Sequence, residues 1–458
     1  MPQLITSEEK HRKMTKEPVE KLINSLAAPT IVSMLITAIY NMADTFFVSK
    51  ISTSASAAVG VSFALMAIIQ AIGFTFGTGS GNYISRLLGQ KDKRMAEKVA
   101  ATGFFTSLGT GIVLAVLGLI YLDPLVMALG ATKTIAPYAK DYIRFILIGM
   151  PYMMNSFVLS HILRFQGNAF YAMIGIGIGG VLNIILDPIF IFVLDMGIGG
   201  AALATIISQF VGFSLLMRNS SVGDNVSIKL KNYTLSTKIF KEIFKNGIPS
   251  FYRQTLASTA MIFLNFSAGA FGDAAVAAVS IVARIMQFSV SAVLGFAQGF
   301  QPVCGFNYGA GNFDRVLKAF WYTVRVVVSF LVVVGAAAFI FSPYIIKLFR
   351  KEDLEVVRIG TRALRYQSLT LPLSAWIISA NMLVQTIGKS TRASFISISR
   401  QGLFFIPAIL FLPGILGIEG VILSQPIANV LSFLGSIVVT AGVIKELSKG
   451  ASSALKSS

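Results

Sequence analysis

The chain has 458 residues, of which 55% are hydrophobic and only 13% are charged. Soluble domains carry about 25% charged residues, so a water-soluble enzyme of this composition would expose far too much apolar surface. The net charge of +18 raises nucleic acid as a partner, but the basic residues lie in short segments between long apolar runs, as orientation signals do in membrane proteins. The sequence therefore predicts an integral membrane protein in a lipid bilayer and no nucleic-acid partner.

The reactive residues are too few for common catalytic or metal-binding sites. The chain has one cysteine, Cys304, and two histidines, His11 and His161. One cysteine allows no intrachain disulfide, and two histidines cannot build a histidine-rich metal site. We therefore expect no enzyme activity, no cofactor and no metal site built from cysteine or histidine.

About twelve apolar runs along the chain are long enough to cross a bilayer, which takes about 20 residues. Only helices or closed barrels span lipid, and these runs are too long and too continuously apolar for barrel strands. The predicted fold class is an all-α integral membrane protein with about twelve transmembrane helices. We place the spans at 22–48, 57–83, 99–121, 137–163, 170–194, 198–217, 247–271, 274–303, 320–346, 366–387, 394–412 and 418–444.

The chain repeats itself after about 220 residues, in agreement with two six-helix bundles. Repeated positions include Gly73 with Gly295, Gly77 with Gly299 and Gly197 with Gly417. Six spans per half give both halves the same orientation, so a pseudo-twofold axis along the membrane normal should relate them. Two such bundles around a cleft are typical of transporters that alternate between inward-open and outward-open states. We predict an N-terminal segment 1–21, a first lobe 22–217, a linker 218–246, a second lobe 247–444 and a tail 445–458.

The basic residues of the predicted loops lie mainly on the membrane side that carries both termini. Lysine and arginine near span ends mark the cytoplasmic side, so this pattern places both termini in the cytoplasm and the protein in the inner membrane. The main exception is the segment 347–365, which brings six basic residues to the opposite side.

Only two of the 20 acidic residues, Asp44 and Asp187, lie well inside predicted spans. A carboxylate there costs at least ~2.5 kcal/mol on insertion scales, so a functional role is the default expectation. Asp44 and Asp187 lie about four and about seven residues from the outer ends of their spans, or ~6 Å and ~10 Å at helical rise. Thr205 falls at the same depth, and Asn183 lies one helical turn from Asp187 on the same face.

This layer of oxygen-bearing side chains predicts a binding site for a proton or a hard monovalent cation such as Na+. Its members are Asp44, Asn183, Asp187 and Thr205. The alternative interpretation is structural, with the two aspartates bonding each other or a nearby hydroxyl only to hold helices together.

A helix bend is predicted at the same level. Pro188 has no amide proton to donate to the carbonyl of Ile184, so the fifth span should kink next to Asp187. A bend at this point offers a way for the charge of the carboxylate to influence the helix.

Further polar residues indicate where a substrate cavity lies. Ser33, Thr37, Tyr40 and Asp44 form a polar stripe along an otherwise apolar helix, which we expect to face the cavity. Arg284 is the most deeply placed base of the second half and either pairs with a polar group or faces that cavity. Three further arginines lie nearer the cytoplasmic ends of their spans, where long side chains reach the membrane surface. They are Arg253, Arg325 and Arg400.

The sequence resembles the multidrug and toxic compound extrusion (MATE) family, and more closely its DinF-like branch, over nearly the whole chain. The resemblance rests on the twelve spans in two halves and on three motifs. These are Met42-Ala43-Asp44-Thr45, Asn183-x-x-x-Asp187-Pro188 and Gly199-Gly200-Ala201-Ala202-x-Ala204-Thr205. It implies export of amphipathic, often cationic, small molecules in exchange for H+ or Na+, with Asp44, Asn183, Asp187 and Thr205 as the cation site.

The resemblance also separates this chain from other branches and leaves alternatives. Other MATE branches carry acids in the seventh and tenth spans, and none is present here, so we expect the first half to hold the sole cation site. The alternative function is a lipid-linked precursor flippase of the same superfamily, although such flippases usually have about fourteen spans and a more cationic cavity. An ion channel is a less favoured alternative, because it would need a continuous polar pore and the sequence shows no pattern for one. We expect the protein to act as a monomer.

Overall fold

The computed structural model describes residues 6–351 and 353–457 of the chain. The first five residues of the predicted N-terminal segment and Ser458 of the predicted tail lie outside the described residues. Across these two ranges the secondary structure is helical, with no β-strand. This agrees with the all-α fold expected for a chain that satisfies its backbone polar groups inside lipid.

The first half begins with a short helix before the membrane and continues through six long helices. Its helices are α1 (Ser7–Lys16), α2 (Val19–Ser49), α3 (Thr53–Gly89), α4 (Lys93–Ile120), α5 (Leu122–Ala128), α6 (Ala136–Phe165), α7 (Ala169–Pro188) and α8 (Gly197–Ser220). A π-helical segment, Ile189–Val193, continues α7. The short 3-10 helix Leu230–Asn232 lies in the linker to the second half.

The second half repeats this plan. Its helices are α9 (Thr237–Gly269), α10 (Asp273–Gly309), α11 (Phe313–Ile340), α12 (Ser342–Phe349), α13 (Leu354–Thr386), α14 (Ser390–Ile398), α15 (Ile406–Leu416) and α16 (Ile418–Ser457). A second π-helical segment, Ser399–Phe405, joins α14 to α15. The prediction of two bundles of six membrane helices is confirmed.

Two of the helices begin well before their predicted spans. Ten of the described helical segments are both long and apolar enough to cross a membrane. The other two predicted spans lie in α9 and α13, each 33 residues long, which start at Thr237 and Leu354 rather than at 247 and 366. Their first turns carry charged residues, including Lys238 and Arg358, which favour water or the headgroup layer over hydrocarbon. The linker and the basic segment 347–365 are therefore partly helical.

The lobes meet where α2 and α3 pack against α10 and α9. We call this contact the terminus-side seam, because it lies on the membrane side where α1 docks. Glycines let the backbones touch there: a Cβ atom on Gly79 would lie 2.2 Å from the carbonyl oxygen of Ile243, and one on Gly309 would lie 2.0 Å from that of Arg86. Small residues permit such close helix packing in membranes, so the seam is closed by direct backbone contact.

One buried arginine crosses the seam. The Nη1 atom of Arg86 on α3 donates to the carbonyl oxygen of Thr386 at 2.6 Å and to Oδ1 of Asn246 at 3.2 Å. Its guanidinium also lies 3.6 Å from the carboxylate of Glu242. Arg86 thereby ties the first lobe to α9 and α13 of the second.

The N-terminal helix α1 bridges the linker and both lobes. It starts with a capping box, in which Thr6 accepts from Glu9 N and the Glu9 side chain accepts from Thr6 N. Its docking contacts join Ser7 N to Asp224 Oδ2 at 2.8 Å, His11 Nε2 to the Gly89 carbonyl oxygen at 3.0 Å, and Asn307 Nδ2 to the Met14 carbonyl oxygen at 3.0 Å. Since Gly89 belongs to the first lobe and Asn307 to the second, α1 acts as a strap across the closed seam.

Docking of α1 should strengthen as the pH rises above about 8. Burial lowers the pKa of Lys10 to about 8, although the nearby charge of Asp224 opposes the shift. An undocked lysine keeps an ordinary pKa near 10.4, so the undocked state binds more protons between these values and docking gains free energy with rising pH. Hydrogen exchange of α1 amides in nanodiscs, corrected for intrinsic rates, should show more protection at pH 9 than at pH 7.5. Lys10→Gln should remove this dependence, and equal wild-type protection at both pH values would contradict it.

Candidate cation site and the cavities of the two lobes

Four helices of the first lobe build the candidate site, and three of them carry the predicted residues. Asp44 comes from α2, Asn183 and Asp187 from α7, and Thr205 from α8. The amide of Asn183 donates to Asp187 Oδ1 at 3.1 Å and to Thr205 Oγ1 at 3.3 Å. All four side chains are buried, and the fourth helix, α6, contributes Tyr142.

Asp44 faces the same group of side chains across a small cavity. This cavity measures about 10 Å³, and Tyr40, Asp44, Asn183 and Thr205 are among its lining residues. That volume is about the space one water molecule needs. The carboxylates of Asp44 and Asp187 lie close enough to repel each other electrostatically.

Three oxygen atoms of the site lack a protein hydrogen-bond donor among the described residues. They are Asp44 Oδ1, Asn183 Oδ1 and Asp187 Oδ2. Buried polar atoms are normally paired, because an unpaired one keeps its full desolvation cost. A proton or a monovalent cation would satisfy these oxygens and also relieve the repulsion between the two carboxylates.

Tyr142 is a member of this site that the sequence analysis missed. Its side chain is buried and lines the same small cavity as Asp44 and Thr205. Its depth was a usable signal, since it lies about five residues into the fourth predicted span, or ~7.5 Å at helical rise. A neutral phenol is less costly in a span than an acid, so Tyr142 does not stand out there as Asp44 and Asp187 do.

Of the other members of the predicted polar stripe, Tyr40 lies at this site, whereas Ser33 and Thr37 are absent from the lining of the small cavity. Ser33 and Thr37 donate to the carbonyl oxygens of Pro29 and Ser33 at 2.9 and 2.8 Å, a way for hydroxyls to be satisfied inside a helix. Tyr40 lines the small cavity next to Asp44. Contact of Ser33, Thr37 or Tyr40 with substrate stays a prediction.

A change of helical register follows directly after Asp187. The α-helix ends at Pro188 and continues as π-helix over Ile189–Val193, with Leu194 N bonded to Ile189 O at 2.9 Å. Proline removes a backbone donor, and the wider π turn accommodates the loss. Such π segments occur frequently at functional sites.

The second lobe contains a much larger cavity. Its volume is about 290 Å³. Its wall is formed by residues of α9, α10, α13, α14 and α16 and of the π segment Ser399–Phe405. Arg253 and Arg400 line it, so the expectation that these two arginines reach the membrane surface does not hold. Arg284 is exposed on α10 and is absent from the lining of both cavities. A substrate role for Arg284 stays a prediction.

Two pseudosymmetric bundles of membrane helices, closed against each other on one side and holding polar cavities, define a membrane transporter. Comparison with known families agrees: the MatE family profile matches residues 29–189 and 249–410, once in each half. The chain belongs to the MatE family and is a multi-pass membrane transporter, not an enzyme. The predicted resemblance to this family is thereby confirmed, and the assignment to its DinF-like branch stays a prediction.

Individual relatives match over almost their full length. The multidrug export protein MepA of Staphylococcus aureus (strain MSSA476) is 29% identical over 431 residues, which cover 93% of this chain and 94% of the relative. MepA of Staphylococcus haemolyticus (strain JCSC1435) is 29% identical over 426 residues, or 92% and 93% of the two chains. Among solved structures, the outward-facing conformation of a multidrug resistance MATE family transporter of the MOP superfamily superimposes with a TM-score of 0.89. It is 28% identical and covers 95% of this chain and 98% of its own.

Proposed function

We propose that this protein exports amphipathic small molecules from the cell in exchange for inward H+ or Na+. The observation that carries the proposal is the pair of buried carboxylates, Asp44 and Asp187, with unpaired oxygens at one level of the first lobe. A membrane protein retains such costly groups where they bind ions or protons. The relatives named as multidrug export proteins support export as the direction of transport.

Binding of the coupling ion changes the charge of the site. With both carboxylates ionised, their repulsion and the unpaired oxygens make the cation-free site unfavourable. A proton or Na+ neutralises one charge, and the Asn183 amide already orients Asp187 towards Thr205. Because only Pro188 separates Asp187 from the π segment, neutralisation favours a different register of the fifth span and a different packing of α7 on α2.

The closed seam defines one of the two conformational states of the transport cycle. Arg86 and the seam glycines hold the terminus side shut, so cargo and ion exchange with the opposite side in this state. Separation of the seam and closure of the opposite ends of the lobes then gives the other state of an alternating-access transporter.

The same proposal includes the orientation and the assembly of the protein. The excess of basic residues on the terminus side follows the positive-inside rule, which supports cytoplasmic termini and a cation site near the outer face of the inner membrane. Each chain holds a complete site and both lobes, so a monomer suffices for transport.

Transport with separate gradients tests the coupling. An H+ gradient and a Na+ gradient are imposed separately on liposomes that contain the purified protein. One of the two gradients should drive extrusion of ethidium, and that gradient identifies the coupling ion. A collapse of extrusion on adding an ionophore for that ion is the matched control. Extrusion that needs neither gradient would refute exchange.

A lipid-linked precursor flippase is the second candidate, and the basic cavity of the second lobe favours it, because such precursors carry phosphate. The same liposomes loaded with a fluorescent lipid-linked sugar phosphate discriminate the two functions. Translocation of that lipid without ethidium transport would identify a flippase.

A further inference from the structure

The two lobes hold cavities at equivalent positions but with opposite charge. The first-lobe cavity and its cation site are built from α2, α3, α6, α7 and α8, the first, second, fourth, fifth and sixth spans. The second-lobe cavity is built from the corresponding spans seven, eight, ten, eleven and twelve. Each lobe also carries one π segment, in the fifth span of the first lobe and in the corresponding eleventh span of the second.

We propose that the second-lobe cavity binds the negatively charged end of an amphipathic anion, a compound with a carboxylate or phosphate attached to an apolar body. This inference adds a cargo class to the export function and rests on that function. Amphipathic anions are then cargo beside the cations that the resemblance implies.

Two arginines give the cavity its charge. Arg253 comes from α9 and Arg400 from the π segment of the eleventh span, and the cavity lining contains no aspartate or glutamate. Neither arginine belongs to an ion pair among the described residues. Arginine stays charged in proteins, and an unpaired guanidinium away from bulk water is stabilised by an anion.

The existing contacts leave most of each guanidinium free for a ligand. Arg400 donates through Nε to Asn429 Oδ1 at 3.1 Å, which orients the group and leaves its two terminal nitrogens without a protein acceptor among the described residues. Arg253 has one long contact, from Nη2 to Ser250 Oγ at 3.5 Å. Terminal guanidinium nitrogens are well placed for bidentate binding of carboxylate or phosphate.

The rest of the lining suits the body of such a compound. Side-chain amides, among them Gln254, Gln287 and Gln425, add polar contacts around the charge. Met261, Met286 and Phe405 belong to the apolar part, and methionine adapts to ligands of different shape. A volume of about 290 Å³ is close to the lower end of small-molecule sites, which admits a two-ring aromatic acid.

Equilibrium binding of two ring-matched probes tests the inference. Protein in nanodiscs of phosphatidylcholine is dialysed against radiolabelled 2-naphthoate or 2-naphthylmethylammonium, which share their rings and differ in charge. Saturable binding of the naphthoate should exceed that of the ammonium compound. Arg253→Gln and Arg400→Gln should each weaken naphthoate binding about tenfold or more, because each removes a charged hydrogen-bond donor. Arg400→Lys, which keeps the charge, should retain most of the affinity and shows that the fold tolerates the position.

Control variants distinguish a failure of anion binding from a failure of ion-coupled export. Arg325→Gln removes an exposed arginine of α11 and should leave naphthoate binding unchanged. Asp44→Asn and Asp187→Asn should also keep it, since no ion gradient is present, even if they abolish transport. Equal binding of the two probes, or naphthoate binding that survives both arginine-to-glutamine changes, would overturn the inference.

The same assay distinguishes two sources of the anion. Dihexanoyl phosphatidate competes with naphthoate if a lipid headgroup also enters the cavity. Absence of competition restricts the cavity to free small anions, and binding that depends on the arginines supports the inference in both cases.

Discussion

Asp187→Asn and Asp44→Asn should each abolish extrusion of ethidium against its gradient. Asparagine keeps the shape and most hydrogen bonds of the side chain, but its charge cannot change when a proton or Na+ arrives. One coupling ion entering balances the charge of one ethidium leaving, so the concentration gradient of the ion drives a one-for-one exchange. A tenfold ion gradient supplies about 1.4 kcal/mol, enough for a roughly tenfold concentration ratio of ethidium. Without a titratable or cation-binding carboxylate this coupling is lost, and the ratio should fall to about one.

Stability measurements separate a loss of coupling from misfolding. A buried carboxylate without full pairing is costly, so the asparagine variants should unfold at an equal or higher Tm than the wild type. Asp195→Asn makes the same chemical change at an exposed residue beyond the end of the fifth span and should leave extrusion intact. Wild-type extrusion by either site variant would exclude that carboxylate from coupling.

Much of the fold followed from the sequence because the bilayer restricts it so strongly. Apolar runs of sufficient length have to be helices, and the repeat of about 220 residues fixes two like lobes. The acidic pair was visible for the same reason, since a carboxylate such as Asp44 is rare inside a span. The extra turns of α9 and α13 were not predicted, because charged residues end an apolar run without ending a helix.

The second lobe was harder to predict than the first. An arginine such as Arg400, placed towards a span end, extends to the membrane surface or points inward depending on how its helix is rotated. The π segment around Arg400 affects that rotation, and no proline precedes it to indicate a change of register. Tyr142 was missed for a related reason, because a neutral side chain in a span gives little indication of which neighbours it meets.

Alanine at Gly79 or Gly309 should open the terminus-side seam. An added Cβ would lie 2.2 Å from the Ile243 carbonyl oxygen or 2.0 Å from the Arg86 carbonyl oxygen, far inside van der Waals contact, so the helices have to separate. Overpacking of this kind costs about 1–3 kcal/mol, and a cost of about 2 kcal/mol raises the open population roughly 30-fold. Export should fall, because the cycle needs the closed state.

The native cysteine reports this opening without engineering. Cys304 is the sole cysteine of the chain and lies fully buried on α10, next to Gly305 at the seam. A water-soluble maleimide at fixed pH should label it slowly in the wild type and many times faster in Gly79→Ala or Gly309→Ala. Gly60→Ala, on the same helix as Gly79, places its Cβ where nothing lies within 4 Å and should label at the wild-type rate. If the seam variants also label at that rate, backbone contact at the glycines does not hold the lobes together, and Arg86 and α1 have to close the seam by themselves.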